Sequence, residues 1–265
     1  MSYHFTKQSF LKGALIIHIF TAGTLVLCAQ APTPPVAAVP APEIKSPWEE
    51  SAGLGLTLTR GNSRTLLFTA NALATRKTKE MELDLGADAT YGEALNKSTG
   101  HEEKNAESLH GFAQYNWLFT ERAFGYARVD GLHDAIADIK YRLVVGPGAG
   151  YYFLKSERTS LRGEVGPSFV YEKKGGTTHD YMALRVAERF EHKLNDHSHI
   201  WQSLEFLPQV DRFKNYIINA EVGIDAGLTK KLSLRSYIQD SYVNEPAAGR
   251  LKNDIKLVTA LAYKF

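Results

Sequence analysis

Residues 255–265 read Ile255-Lys256-Leu257-Val258-Thr259-Ala260-Leu261-Ala262-Tyr263-Lys264-Phe265. Successive side chains of a β-strand point to opposite faces, so the odd-numbered positions of this stretch share one face. That face is apolar except for Thr259, whereas the other face carries Lys256 and Lys264 with small or aliphatic residues between them. The stretch therefore predicts a strand with one apolar and one mixed face.

The same stretch resembles the closing strands of outer-membrane β-barrels, which end on an aromatic residue read by the barrel-assembly machinery. On that resemblance, four residues of the apolar face are the expected assembly signal: Leu257, Leu261, Tyr263 and Phe265. The alternative interpretation is an ordinary edge strand of a soluble sheet.

Period-two alternation recurs along the chain and predicts further strands. In residues 216–229 the even positions are all apolar, whereas the odd ones include Asn219, Glu221 and Asp225. At about 3.3 Å per residue, this segment exceeds the roughly nine to eleven residues that a tilted strand needs to cross a bilayer. The alternation places Ile224 on a lipid face and Asp225 in a lumen, so we expect Ile224→Arg to be far more damaging than Asp225→Arg.

Taken together, such segments predict an all-β fold, a transmembrane antiparallel up-and-down β-barrel of about 12 strands. The predicted strands are residues 50–60, 64–75, 81–92, 105–119, 123–133, 139–154, 159–172, 180–194, 198–211, 215–229, 232–244 and 252–265. Short connections alternate with longer and more polar ones, such as residues 93–104 and 173–179. Short periplasmic turns, longer outer loops and periplasmic termini are usual in outer-membrane barrels.

Aromatic residues cluster near both predicted ends of the strands. Two belts of aromatic side chains anchor membrane proteins at the two interfaces. The expected periplasmic belt comprises Trp48, Trp117, Phe119, Phe124, Phe153, Phe190 and Phe265, and the outer belt comprises Tyr91, Phe169, Tyr171, Phe213, Tyr216 and Tyr242.

The N-terminal region has the pattern of a secretory signal. Two lysines precede an uncharged run, residues 13–27, which is short for a membrane-spanning helix. Cleavage is expected near Ala29 or Ala31, which gives a signal peptide of residues 1–31.

Cleavage at either position changes the composition of the exported chain. The whole chain has 31 basic and 29 acidic residues, so removing the two leader lysines leaves 29 − 29 = 0. The single cysteine is removed as well, which suits an oxidising compartment. Residues 32–47 hold six of the ten prolines and predict an extended linker, and the barrel is expected over residues 48–265.

Several short motifs occur in the order found in one family. They are Tyr126-Ala127-Arg128-Val129-Asp130, Ile139-Lys140-Tyr141-Arg142 and Gly146-Pro147-Gly148-Ala149-Gly150-Tyr151, with Thr59-Arg60-Gly61-Asn62-Ser63, Glu164-Val165-Gly166-Pro167 and Asn219-Ala220-Glu221. On these motifs the chain resembles the salt-induced outer-membrane protein family, whose function is unknown. The resemblance implies an outer-membrane barrel with an envelope or stress-related role, and it implies no established activity.

Charged residues fall on the inward face of several predicted strands. The candidate lumen residues are Arg128, Arg142, Arg162, Glu164, Arg185, Glu205, Glu221 and Arg235. One interpretation is a structural network in which neighbouring acids and bases pair. The other is a ladder of arginines that guides an anionic solute through a narrow pore. The mixed signs favour the network, and we expect a filled lumen with conductance near zero.

Catalytic and metal sites are not expected. Ser108, His110 and His133 could serve an outer-membrane lipid-modifying hydrolase, but none lies in a recognisable nucleophile context. The histidines around Asp196 lie in a short solvated turn, which does not predict a metal site. A soluble periplasmic lipid-binding barrel is a further alternative. No cofactor or nucleic acid is expected; the expected partners are outer-membrane lipids and lipopolysaccharide, periplasmic chaperones, the barrel-assembly machinery and a small solute.

Deleting Phe265, or replacing it with a charged residue, should leave export intact and cause poor assembly with periplasmic degradation. The expected reason is loss of the terminal aromatic that the assembly machinery reads. Immunoblots of membrane and periplasmic fractions measure the effect, and normal membrane levels of the variant would count against the interpretation of the C-terminal strand.

Overall fold

The computed structural model of the chain describes residues 47–59, 65–96 and 99–265. The predicted signal peptide and all but the last residue of the predicted linker lie outside the described residues. Residues 60–63 of the motif at the first hairpin also lie outside them.

Twelve strands make up the regular structure of the described residues. They are β1 (Trp48–Thr59), β2 (Thr65–Lys77), β3 (Met81–Leu95), β4 (Glu102–Leu118), β5 (Ala123–Asp134), β6 (Ile139–Lys155), β7 (Thr159–Lys174), β8 (Thr177–Lys193), β9 (Ser198–Gln209), β10 (Arg212–Gly227), β11 (Leu232–Val243) and β12 (Asn253–Lys264). Each strand pairs antiparallel with its neighbours in sequence, and β12 pairs with β1 to close the barrel. The closed barrel confirms the predicted all-β, antiparallel, up-and-down fold of about 12 strands. In the part of the chain that the structure describes, no helix is both long and apolar enough to cross a lipid bilayer.

The two ends of the barrel are distinguished by their connections. The terminal end holds Trp48, Phe265 and the turns at residues 78–80, 119–122, 156–158, 194–197 and 228–231. Among the described residues, the opposite end holds the connections at residues 96, 99–101, 135–138, 175–176, 210–211 and 244–252.

The predicted contrast between short and long connections is wrong at one place on the opposite end. Residues 173–179 were expected to form a long loop, but Lys173 and Lys174 pair with Thr178 and Thr177 as part of the β7–β8 ladder. The turn consists of Gly175 and Gly176 alone. Both glycines have positive φ, 57° and 78°, which two-residue hairpin turns of type I′ require.

The β9–β10 connection is short as well, as the predicted strands 198–211 and 215–229 imply. It consists of residues 210–211, so this hairpin also turns within two residues. The longest described connection of the opposite end, residues 244–252, folds back towards β7, where Lys174 Nζ donates to the backbone oxygen of Glu245 over 2.9 Å. The opposite end therefore combines tight hairpins with one long folded loop.

Side chains alternate between an apolar exterior and a largely polar interior. On β10, Val222 and Ile224 are exposed on the outside, whereas the next residue, Asp225, is fully buried inside. The same alternation holds on β12, where Leu257 and Leu261 are exposed and Val258 is buried. Water-soluble proteins bury their apolar residues, so this barrel has the inverse distribution.

Aromatic side chains fill part of the interior, and Phe124 is one of them. It was expected in the aromatic belt, but it is 1% exposed and packs inside the barrel with Tyr126 and Tyr152. The reason lies on β6, where a Cβ atom at Gly150 would come within 2.1 Å of the Phe124 ring. A glycine at this position leaves the space that the ring occupies; Gly148 does the same for Tyr126.

Two further clusters occupy other sectors of the interior. Val170, Ala183, Leu207 and Ile217 pack between β7 and β10, nearer the opposite end. Trp201, Tyr237 and Val258 pack together between β9 and β12. The interior is thus partly filled by apolar groups, and polar groups line what remains.

Replacing Ile224 with Arg should destabilise the barrel far more than replacing Asn219 with Arg. The Ile224 side chain points into the apolar exterior, where an arginine near mid-membrane costs on the order of 2–4 kcal/mol. Asn219 is also exposed but points into the lumen, where Asn219 Oδ1 accepts from Ser241 Oγ over 3.0 Å. Urea unfolding in lipid vesicles measures the difference, and equal effects would mean that the two faces are wrongly assigned.

Asp225→Arg is not a mild comparison, contrary to the expectation from sequence. Asp225 is fully buried, and its Oδ2 lies 3.0 Å from Arg235 Nη2. A second arginine there would face the first without a counter-charge.

Candidate functional site: a charged lumen

The lumen contains a cavity of about 430 Å³ that runs along the barrel and is lined by charged and by apolar side chains. Lys77 and Glu191 line it near the terminal end, and Asp254 and Lys256 line it near the opposite end. The structure places all of the candidate lumen residues around this cavity: Arg128, Arg142, Arg162, Glu164, Arg185, Glu205, Glu221 and Arg235. Side chains leave this space open, and the expected conductance near zero stays a prediction.

A chain of five alternating charges occupies the middle of the lumen. We call Asp84, Arg162, Glu164, Arg185 and Glu205 the central ion-pair chain. Arg162 lies 3.2 Å from Asp84 and 3.1 Å from Glu164. Arg185 lies 2.8 Å from Glu164 and 2.6 Å from Glu205. Each arginine thus contacts two carboxylates, which offsets the cost of removing its charge from water.

The central ion-pair chain crosses the lumen. Asp84 is on β3 and Arg162 is on β7, so their contact connects two strands that are not neighbours in the barrel. Gln114 on β4 makes a parallel connection, donating to Glu164 Oε1 over 2.9 Å. These contacts divide the cross-section and narrow the path that remains.

A second cluster, the terminal clamp, lies where the barrel closes. It consists of Arg235, Asp225, Asn71, Ser51 and Lys264. Arg235 donates to Asp225 Oδ2 from Nε and Nη2, to Asn71 Oδ1 over 2.9 Å and to Ser51 Oγ over 3.0 Å. One guanidinium on β11 therefore ties β10, β1 and β2 together behind β12.

Arg142 pairs with a residue that the sequence interpretation missed. Arg142 Nε donates to Glu172 Oε2 over 2.7 Å, and Lys174 Nζ lies 3.1 Å from the other oxygen of Glu172. Both Arg142 and Glu172 are buried. Continuing the alternation of β7 by two residues past Val170 would have found Glu172, but this stretch was assigned to the end of a strand.

Arg128 belongs to a group centred on His110. The two ring nitrogens of His110 lie 2.8 Å from Asp88 Oδ1 and 3.0 Å from Asp130 Oδ2. Arg128 Nη2 donates to the same Asp130 oxygen over 2.9 Å, and its guanidinium lies 4.4 Å from the centre of the Phe112 ring. Both nitrogens of this histidine are thus engaged by carboxylates.

Glu221 was expected to pair with an arginine, and its contacts are different. It accepts hydrogen bonds from Trp201 Nε1 over 2.5 Å and from Gln239 Nε2 over 2.9 Å. Trp201 was not anticipated because the alternation on β9 did not reveal which residues face inward.

The residues proposed as an assembly signal all lie on the outer face of β12. Leu257, Leu261, Tyr263 and Phe265 are exposed there. The rings of Tyr263 and Phe265 meet edge to face with centroids 5.2 Å apart, and Lys231 Nζ lies 5.6 Å from the centre of the Tyr263 ring. This geometry leaves the apolar outer face of the closing strand exposed.

Residues considered for catalysis lie apart from one another or are engaged elsewhere. Ser108 Oγ lies 3.0 Å from Lys256 Nζ, and His133 Nδ1 lies 2.9 Å from the backbone oxygen of Lys140. Within the described ranges, no group of three or more His, Cys, Asp or Glu side chains is placed to hold a metal ion.

Comparison with known proteins places the chain in a family. The family model described as "Protein of unknown function, DUF481" matches residues 52–265, so the chain belongs to that family. Comparison with the curated proteins finds no match.

Several solved structures are similar to the barrel. An outer membrane channel from Pseudomonas putida F1 is 11% identical, with a TM-score of 0.47, over 82% of this chain and 93% of that one. The NanC porin is 6% identical, with a TM-score of 0.44, over 82% and 96% of the two chains. The KdgM porin is 10% identical, with a TM-score of 0.43, over 82% of this chain and 99% of that one.

Replacing Glu164 with Ala should lower the stability of the barrel by about 3 kcal/mol, since it strips a shared partner from two buried arginines. Glu191→Ala is the matched control, because the Arg189–Glu191 pair is more than a third exposed and pairs of that kind contribute roughly 0–1 kcal/mol. Thermal unfolding followed by circular dichroism in detergent micelles compares them. Equal loss in both variants would contradict a structural role for the central ion-pair chain.

Proposed function

We propose that this protein is an outer-membrane barrel whose lumen forms a narrow aqueous channel for small polar solutes. The observation that supports the proposal is the cavity of about 430 Å³ with its many charged lining residues, which extends from Lys77 near the terminal end to Lys256 near the opposite end. A barrel of this size has room for a narrow path once its inward side chains are in place.

The exterior supports the membrane location. Large apolar side chains are exposed on every strand with described side chains, from Leu54 and Leu56 on β1 to Leu257 and Leu261 on β12. Exposed apolar surface on this scale is unfavourable in water and favourable in a bilayer. Strands of 12 to 17 residues are long enough to cross a bilayer, which needs roughly nine to eleven residues per tilted strand. A soluble periplasmic lipid-binding barrel would place its apolar face inside, which is the reverse arrangement.

The orientation follows from the same proposal. Both chain ends of the barrel lie at the terminal end, and periplasmic termini are usual for such barrels. The terminal end then faces the periplasm and the opposite end faces outward. In this orientation the exposed side chains of Tyr263 and Phe265 lie at the periplasmic end, where the assembly machinery would meet them.

Charge in the lumen supports weak ion selectivity. The arginines that line the cavity each contact at least one carboxylate, as in the central ion-pair chain and the terminal clamp. A path selective for anions should be basic along its length, whereas acids and bases alternate here. Small uncharged or zwitterionic solutes fit this lining better than anions do.

The lipid-modifying hydrolase is less well supported. Such an enzyme needs a nucleophile hydrogen-bonded to a base, but both nitrogens of His110 are engaged by Asp88 and Asp130. The envelope or stress-related role rests on the family resemblance alone. Protein levels measured before and after a rise in salt concentration would test that role.

Purified protein in planar bilayers should open to a small conductance with nearly equal permeability to anions and cations. Removing the cross-lumen pair in the Asp84→Ala, Arg162→Ala double variant should raise the conductance without changing selectivity, because one charge of each sign is lost. The control is the Lys104→Ala, Glu107→Ala double variant, which removes an exposed ion pair and should leave conductance unchanged.

Three outcomes would contradict the proposal in different ways. A wild-type protein and a double variant that both stay closed would indicate a structural barrel. A strong anion preference that falls when Arg142 and Arg235 are neutralised would indicate the arginine ladder. Release of fatty acid from phospholipid or lipopolysaccharide would indicate the hydrolase.

A further inference from the structure

The closure between β1 and β12 is much shorter than the other strand pairings. Among the described residues, its ladder runs from Ser51↔Lys264 to Leu54↔Leu261, which is four residue pairs. On the other side of β12, the ladder with β11 runs through eleven pairs, from Leu232↔Tyr263 to Tyr242↔Asn253. One edge of β12 is thus unpaired along the half nearer the opposite end.

Gly55 marks the place where the pairing ends. The two strands still touch there, because a Cβ atom at Gly55 would lie 2.5 Å from the backbone oxygen of Thr259. Beyond this contact, neither Leu56 nor any described β1 residue after it is registered against β12. Strands β1 and β12 are therefore paired towards the terminal end and unpaired towards the opposite end.

Large apolar side chains are exposed along the unpaired half of the seam. Leu56 is 62% exposed, and Ile255 and Leu257 are 66% and 67% exposed. On the paired neighbour β11, Ile238 is directly opposite Leu257 and is 45% exposed. Apolar side chains therefore flank the unpaired half on both strands, and Leu54 in the paired half is exposed to the same extent, at 61%.

A polar part of the lumen lies directly behind the unpaired edge. Asp254 and Lys256 belong to the unpaired half of β12 and line the lumen cavity. Lys256 Nζ donates to Ser108 Oγ on β4 over 3.0 Å and lies 3.8 Å from Asp134 on β5. Asp254 and Lys256 are therefore direct sequence neighbours of the exposed apolar residues Ile255 and Leu257, and Asp134 lies close to Lys256 in the lumen.

In a bilayer an unpaired strand edge is unfavourable, because its N–H and C=O groups find no partner in lipid. Groups from the lumen or from a bound polar molecule can satisfy them. An arrangement in which polar groups and apolar side chains meet at one unpaired edge is complementary to an amphiphile.

We propose that the unpaired half of the β1–β12 seam is a side port that admits a lipid-like amphiphile from the surrounding leaflet; this rests on the proposed membrane location. The polar head lies at Asp254 and Lys256, where a zwitterionic group meets both an acid and a base. The alkyl chain lies between Leu56 and Leu257 and stays in the bilayer. The four paired residues and the terminal clamp keep the rest of the seam closed.

Single-cysteine variants test the port. The one native cysteine, Cys28, lies in the predicted leader, so a mature Lys256→Cys variant carries one thiol. Asn219→Cys is the matched control, because Asn219 is exposed in the lumen on β10, away from the seam. Each variant is reconstituted in phosphatidylcholine vesicles and treated with N-dodecylmaleimide, or with a water-soluble maleimide.

N-dodecylmaleimide should label Lys256→Cys roughly tenfold or more faster than Asn219→Cys. To reach Asn219→Cys from the lipid, this reagent would have to pass between paired strands, which would have to separate in the bilayer. The water-soluble reagent should label both. Equal rates with N-dodecylmaleimide, or no labelling of Lys256→Cys by it, would overturn the side port. Failure of the water-soluble reagent to label Asn219→Cys would instead count against the aqueous channel, so the two proposals fail separately.

Double-cysteine variants provide a second readout that does not depend on the reagent. Ala52→Cys with Tyr263→Cys joins a registered pair and should form a disulfide on mild oxidation. Leu56→Cys with Thr259→Cys continues that register past Leu54↔Leu261 and should stay reduced. Equal disulfide formation in the two variants would show a fully paired seam and would overturn the port.

Discussion

Backbone hydrogen bonding in lipid is the constraint on which the rest of this structure depends. A strand that crosses a bilayer must pair its N–H and C=O groups with other strands, so the sheet has to close on itself. Closure fixes the alternation of side chains, because one face of every strand then meets lipid and the other meets the lumen. The apolar exterior, the inward charges and the position of each aromatic ring follow from that single requirement.

Closure of the sheet also encloses a wide interior, which the inward side chains must partly fill. Twelve strands enclose a space too wide for apolar side chains alone, and the inward charges span it by pairing across it. Asp84 and Arg162 join β3 to β7, while Arg235 joins β10, β1 and β2 behind the short closure. The same contacts that stabilise the barrel set the width of the remaining path, which links the fold to the proposed channel.

Much of the fold could be predicted because period two is a strong signal when one face is polar. This alternation did not reveal the inward face of β5 and β9. On these strands Phe124, Tyr126 and Trp201 face inward, so both faces carry apolar residues. Predicted loop lengths failed at Gly175 and Gly176, because a two-residue turn allows strands to continue where polar composition suggested a loop. Pairing across the lumen could not be predicted, since it depends on the shape of the closed barrel and joins residues far apart in sequence.

Accessibility along β10 tests the central claim, a membrane-embedded barrel with an aqueous lumen, most directly. Single cysteines placed in turn at residues 217–226 of the protein in lipid vesicles would be probed with a water-soluble maleimide. We expect the odd positions to react, except where the side chain is buried as at Ile217 and Asp225, and the even positions to stay unreactive. Reaction at even and odd positions alike, or at even positions only, would contradict it.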